Sequence, residues 1–320
     1  MAGFDRATVA TDLLRTNLWS DQLKDILIDT LQGQKYVNWM TNFPDGTTFN
    51  IPSIGQIPMR NVSELDPVVY DVMDTGNFTF TINNYVEAAT YITDMARQDS
   101  YYSDQLVATF LPKMKRSLEE NLETNIFALA NSQTAANPNT INGAAHRFCG
   151  SGDTNTTLVL SDYAKAKFAL DKANASMARV AIIDPSQEHK LNTLASLVAL
   201  DHNPKFEGIV TEGFVNSTTG MRFSKHIYGF DVYVSNYLAT PTGATVDGTV
   251  TMPANPVANI FMSFGGDESP FKGAWRQMLR VETERNKDLR RDEFVMNGRY
   301  GLKLYRAETL VVGVSRNTII

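Results

Sequence analysis

Thr47-Thr48-Phe49-Asn50-Ile51 and Thr75-Gly76-Asn77-Phe78-Thr79-Phe80-Thr81-Ile82-Asn83 are the stretches that decide the fold. In both, bulky apolar residues alternate with polar ones, the period of a strand with one face buried. Asp66-Pro67 supplies a reversal between them. The pattern predicts a long two-stranded arm over residues 47–95. An isolated hairpin is marginal in water, because its apolar face needs a third layer or another chain to cover it. Phe49, Ile51, Phe78, Phe80 and Ile82 are therefore expected to bury, either at the arm's root or beneath a neighbour. The arm points to assembly rather than catalysis.

Downstream of the arm, Val107, Phe110, Leu111, Met114, Leu118, Leu122, Ile126 and Leu129 mark one face of a helix over residues 104–130. Pro112 lies inside it, which predicts a kink or a separate first turn ending near Leu111. Upstream, Ser20 is a good N-cap for a short amphipathic helix over residues 20–32. Its stripe of Leu23, Ile26, Leu27 and Leu31 must dock to be stable.

Residues 131–157 are rich in Asn, Thr, Gly and Ser and read as a loop with a short hairpin. The pattern then becomes α/β. Ser161 is expected to cap a helix, Ala181-Ile182-Ile183 to form a buried strand ended by Asp184-Pro185, and Leu191, Leu194, Leu197 and Val198 to mark a second helix. Strands are expected at 229–234 and 260–264, and segments 300–305 and 309–314 are expected to close this domain.

At 320 residues, 43% hydrophobic and 20% charged, the chain has material for a sizeable core. No apolar run approaches the roughly 20 residues that span a bilayer. The start, Met1-Ala2-Gly3-Phe4-Asp5-Arg6, has no apolar signal region, which predicts synthesis inside the cell. On that reading the five Asn-x-Ser/Thr sequons reflect composition. A net charge of −6 argues against a dedicated nucleic-acid binder, since such affinity comes mainly from clustered Lys and Arg. Cys149 reads as a structural thiol in a Gly-rich loop, and His146, His189, His202 and His226 lack the spacing of a metal pair. There is no phosphate loop, dinucleotide fingerprint or nucleophile elbow. Asp162, Asp171, Asp184 and Glu188 are read as caps and solvated surface, and Tyr101 and Tyr102 as packing at the arm's root. No catalytic residue, cofactor or metal site is expected.

Taken together, this order of parts resembles the major capsid proteins of tailed phages with the Hong Kong 97 fold. Local strings that carry the likeness are Tyr228-Gly229-Phe230-Asp231-Val232-Tyr233-Val234-Ser235-Asn236 and residues 300–312, Tyr-Gly-Leu-Lys-Leu-Tyr-Arg-Ala-Glu-Thr-Leu-Val-Val. The resemblance implies an α+β fold: an N-terminal arm (1–46), an extended E-loop (47–95), a P-domain with its spine helix (96–157), an A-domain (158–264), returning P-domain strands (265–299) and C-terminal strands completing the A-domain (300–320). It also implies synthesis in a host's cytoplasm and self-assembly into hexamers and pentamers of an icosahedral virion shell enclosing double-stranded DNA. Implied partners are a separate scaffolding protein, a portal and decoration proteins, with DNA touched weakly and no membrane. Some relatives cross-link E-loop lysines to a neighbour. Here no lysine lies between Lys35 and Lys113, which excludes that link at this loop. An encapsulin-like compartment shell is a second reading, and an α/β enzyme built on 158–264 a third, from another class.

Charge predicts a contact between subunits. In residues 47–95 six acids, Glu64, Asp66, Asp71, Asp74, Glu87 and Asp94, stand against Arg60 alone, a balance of −5. Residues 272–306 hold ten bases, Arg285, Arg290 and Arg291 among them, against five acids, a balance of +5. Opposite segments brought together between neighbours would steer assembly and set register. Leu23, Ile26, Leu27 and Leu31 are expected to bury on a neighbouring subunit at the shell's inner side.

Overall fold

Three sheets organise the chain in a computed structural model, which describes residues 31–40, 46, 48–55, 57, 59–72, 75–99, 103–154, 156–193 and 223–318. A 3-10 turn at Gly33–Tyr36 leads into β1 (Val37–Met40), followed by β2 (Thr48–Ile54), β3 (Thr75–Thr81) and β4 (Asn84–Thr93). A short helix α1 (Asp94–Asp99) precedes the long α2 (Ser103–Ala128). Next come β5 (Arg147–Cys149), α3 (Leu160–Lys172), β6 (Arg179–Ile183) and α4 (Pro185–Thr193). The last part is all strand: β7 (Phe223–Ile227), β8 (Phe230–Val234), β9 (Pro256–Ser263), β10 (Phe271–Asn286), β11 (Arg291–Leu304) and β12 (Leu310–Arg316).

The six-stranded sheet runs in the order β5-β12-β9-β6-β8-β7. Its central strands read as continuous apolar runs, and β6 is buried at every position. The cause is cover on both faces. Leu122, Ile126 and Phe127 of α2 pack with Val180, Ile182, Ile260 and Val312 on one side. Tyr163, Ala166 and Leu170 of α3 and Leu191 of α4 pack with Ala181, Ile183 and Val232 on the other. Phe261 sits at the centre of the second face, in ring contact with Phe148, Tyr163 and Phe230.

A four-stranded sheet, β1-β10-β11-β4, carries the second half of the fold. The β10–β11 hairpin is long, of 16 and 14 residues, and its tip is exposed. The third sheet has two strands, β2 and β3, paired antiparallel with Phe49 opposite Phe80 and Ile51 opposite Phe78. The expected cross-strand apolar pairs are thus in register.

Several expectations need correction. The arm's strand pairing ends at Thr81, and the segment 84–93, expected in the arm, is a separate strand paired with β11. The alternation continues through both strands, so periodicity alone does not show where the partner changes. Residues 300–304 were expected in the six-stranded sheet, yet they complete β11 in the four-stranded one. The change of sheet comes at Tyr305 and Arg306, whose N–H groups both donate to Pro270 O (2.7 and 3.3 Å) before the 3-10 turn Ala307–Thr309. The long helix is continuous through Pro112 from Ser103, with no separate first turn ending at Leu111. Ser161 does not cap α3: the helix opens at Leu160, and the Asp162 carboxylate accepts from Val159 N (3.1 Å) and Ser151 N (2.8 Å). Cys149 is on a buried strand beside β12, and burial raises its thiol pKa to about 11.

Candidate functional site

The arm divides into a root and a free end. At the root, Phe80 and Ile82 are buried with Ala274, and Met40, Phe49 and Phe78 close the cluster. Phe78 meets Tyr305 edge-on at 5.1 Å. Lys303 Nζ lies 4.7 Å from the Phe78 ring centre and donates to Thr79 O at 2.5 Å. Of the five apolar residues expected to bury, Phe80 and Ile82 do so on their own chain, Phe49 and Phe78 are half-buried against them, and Ile51 is half-buried.

The free end is the twenty-residue connection between β2 and β3. It turns at 63–66, where Asp66 N donates to Ser63 O (3.2 Å), Asp66 Oδ2 accepts from Ser63 N (3.0 Å) and Leu65 takes a left-handed φ of 76°. Its apolar residues face solvent: Met59 is 99% exposed, Leu65 98% and Val72 95%, and Ile57, Val62, Val68, Val69 and Tyr70 are exposed as well. So many exposed large apolar side chains on one connection are unusual for a surface that stays in water. Sequence reasoning missed these residues. The available signal was an apolar-rich stretch, broken by prolines, whose residues obey neither strand nor helix period.

The charged candidates are placed as follows. Asp71 pairs with Arg60 inside the same connection. Arg285 holds Asp94 through two hydrogen bonds (2.6 and 2.7 Å) and reaches Asp292 at 3.0 Å, so one acid of the arm stretch meets the basic hairpin within its own subunit. Its guanidinium keeps the Asp94 carboxyl below the usual range. Arg291 pairs with Glu293 (2.6 Å) and stacks over Tyr91 at 4.4 Å, while Arg290, at a left-handed φ of 50°, offers its carbonyl to Asp94 N at 3.1 Å. Glu64 lies on the exposed turn at the arm's end. Asp74 lies outside the described residues, as do Leu23, Ile26 and Leu27, Tyr101 and Tyr102, Leu194, Leu197 and Val198, and His202.

Leu31 is half-buried, and the two residues after it are tied down. Glu123, fully buried on α2, accepts from Gln32 N (2.9 Å) and Gly33 N (2.8 Å), and Gln32 Nε2 donates to Val234 O at 3.0 Å. A Cβ at Gly33 would lie 2.8 Å from Glu123 Oε2, so glycine permits this approach.

The acids weighed for chemistry take structural partners. Asp162 caps α3 and meets Lys165, Asp171 pairs with Arg179, and Asp184 caps α4 through Ser186 N (2.9 Å). No cluster of three or more His, Cys, Asp or Glu able to hold a metal occurs among the described residues, and no helix among them is long and apolar enough to cross a membrane.

A family model described as phage capsid protein matches residues 42–312, most of the chain. The chain belongs to the phage capsid protein family. This capsid protein shares its fold with solved phage capsids: that of the cyanophage P-SCSP1u (14% identity, 99% of this chain and 98% of that one, TM-score 0.69), the capsid asymmetric unit of cyanophage Pam1 (15%, 99% of each, TM-score 0.68) and a chain of Mycobacterium phage Che8 (16%, 95% and 98%, TM-score 0.66). No curated protein matches the sequence. The α+β, Hong Kong 97-like architecture read from the order of parts is the one observed. The protein is a major capsid protein, and its place is the virion shell. Family membership implies a structural role.

Proposed function

We propose that subunits of this capsid protein close into hexamers and pentamers of an icosahedral head that encloses double-stranded DNA, each arm lying across a neighbour. The observation that carries this is the free end of the arm, where eight large apolar side chains on one connection are exposed. Burying each such side chain is worth about 1.5–3 kcal/mol, so covering even half of them favours association over solvent exposure. Charge guides the approach. Glu64, Asp66, Asp71 and Asp74 give the arm's end a negative field, and Arg290 and Arg291 lie near the tip of the β10–β11 hairpin, a positive counterpart on the neighbour. Leu23, Ile26, Leu27 and Leu31 extend the contact on the inner side, starting from the anchored Gln32–Gly33. A scaffolding protein, portal and decoration proteins complete the head, and with a net charge of −6 the shell holds DNA weakly and without sequence preference.

Negative-stain microscopy of the purified chain, with and without scaffold, tests this reading. Closed shells are expected, and a strictly monomeric protein under all assembly conditions would sink it. Reversing Arg290 and Arg291 to Glu is expected to slow assembly, with partial recovery when Asp71 and Asp74 are reversed to Lys. An assembly rate indifferent to both changes and to salt would remove the charge contact.

A further inference from the structure

The arm leaves the body of the protein at a defined place. Only Ile82 and Asn83 separate the arm strand β3 from β4, so the chain passes from one sheet to the other within two residues. At that crossing β3 lies directly over β11. A Cβ at Gly301 would sit 2.7 Å from Thr81 O and 3.0 Å from Ile82 Cα, both backbone atoms, which are closer than a side chain tolerates. Glycine therefore lets the arm lie flat on β11. Immediately beyond, a stack holds it there: Lys303 lies against the Phe78 face and donates to Thr79 O, and Tyr305 meets Phe78 edge-on. Lys272, buried and opposite Lys303 in the β10–β11 register, lies 4.0 Å from the Tyr305 ring centre on the body side. Ammonium groups over aromatic faces attract through the ring quadrupole, more strongly for the buried Lys272 than for the exposed Lys303.

We infer that Gly301 and the Lys303–Phe78–Tyr305–Lys272 stack preset the angle between arm and body in the free subunit, and that this angle selects the curvature of the closed shell. The inference rests on the shell reading above and adds to it the residues that do the positioning. A seven-residue strand is about 23 Å long at roughly 3.3 Å per residue, so a small rotation at Gly301 displaces the arm's free end by a larger amount than the root itself moves. Preorganisation of this kind lowers the ordering cost of docking, because the arm does not have to be found in its docked direction by chance.

The experiment attaches spin labels to Ser63→Cys at the arm's turn and Lys287→Cys on the hairpin tip, with Cys149 unlabelled because it is buried, and measures the distance distribution in full-length monomer. Particle diameters from the same preparations after assembly are measured by electron microscopy. Lys303→Met is expected to broaden the distribution through a roughly two- to fivefold loss in the ratio of docked to undocked arm. It is also expected to give particles of mixed diameter at unchanged thermal stability. Lys303→Arg, which keeps a cation over the ring, is expected to restore both. Gly301→Ala is expected to shift the mean distance and the diameter together, and circular dichroism confirms that this variant is folded. A distance distribution untouched by Lys303→Met would overturn the clamp. A distribution that shifts while particle diameter stays constant would overturn the link to curvature. Unmodified protein that forms no closed particles would instead overturn the shell reading itself, a result visible without any variant.

Discussion

The six-stranded sheet and the arm's free end obey opposite rules within one chain. In the sheet every large apolar side chain of β6 is enclosed by helices of the same subunit, and polar groups such as Asp162 and Asn259 find partners there: Asn259 Nδ2 donates to Gly313 O (2.9 Å) and Asn259 Oδ1 accepts from Asp184 N (3.0 Å). At the arm's free end, side chains of the same hydrophobicity stand in water. The sheet thus accounts for the stability of a subunit, and the exposed side chains of the arm's free end add nothing to it. A capsid protein needs both, since subunits must fold before they assemble and must not complete their own interfaces.

Substitutions that strike each region should separate these roles. The largest effect on the subunit is expected from Phe261→Ala, which empties a site packed against three rings. It should cost about 3–5 kcal/mol, read from denaturant unfolding of the monomer, and aggregated protein is the expected yield at elevated temperature. Glu123→Ala comes next. It removes the acceptor for Gln32 and Gly33, and a buried N–H left unpaired costs about 1–3 kcal/mol, so unfolding should shift by that amount and protease should gain access near residue 33.

Replacing Leu65, Tyr70 and Val72 by Ser should move subunit stability by no more than about 0.5 kcal/mol, as for ordinary surface changes, while abolishing closed particles. If the melting curve of this variant fell as far as that of Phe261→Ala, the division between the two regions would be wrong. The smallest effect is local and depends on pH. Asp94 is held below its ordinary value of 3.8 by Arg285, so the tie between the hairpin and the start of α1 is intact above that pH and is lost as pH falls through the lower folded value. Hydrogen exchange at the β10–β11 turn should accelerate only below pH 3.8, and in Arg285→Met it should be fast throughout the acid range.

Covalent chemistry offers a check on the same comparison. The arm has no lysine and Cys149 is buried with its pKa pushed up to about 11, so the arm supplies neither the amine of an isopeptide link nor a reactive thiol. Particles boiled in detergent and reductant should run as one band near 35.6 kDa, and a surviving ladder would show a link between subunits.

Elements whose partners lie close in sequence, or whose period is strong, were legible. Phe49, Ile51, Phe78 and Phe80 announce a paired strand because alternate side chains must share one face. The run Ala181-Ile182-Ile183 announces a strand covered on both sides. Less legible were choices between equivalent partners. Residues 84–93 and 300–304 carry strand patterns that suit either sheet, and hydrogen bonds from Tyr305 and Arg306 to one carbonyl, Pro270 O, mark where the chain leaves the sheet. Pro112 does not end α2, which runs from Ser103 to Ala128.

The sequence by itself determined the arm's paired strands, the absence of a lysine for cross-linking and the charge contrast between residues 47–95 and 272–306, because composition and period are local properties, while the fold class came through the resemblance carried by the order of parts. Only the tertiary structure decided which charges and apolar residues find partners within the subunit and which stay exposed. Arg285 and Asp94 are far apart in the chain and satisfy each other, Phe78 and Phe80 close on the body, and Met59, Leu65 and Val72 do not. Burial is a property of three-dimensional neighbours, and similar apolar residues acquire opposite roles according to whether the chain folds something over them.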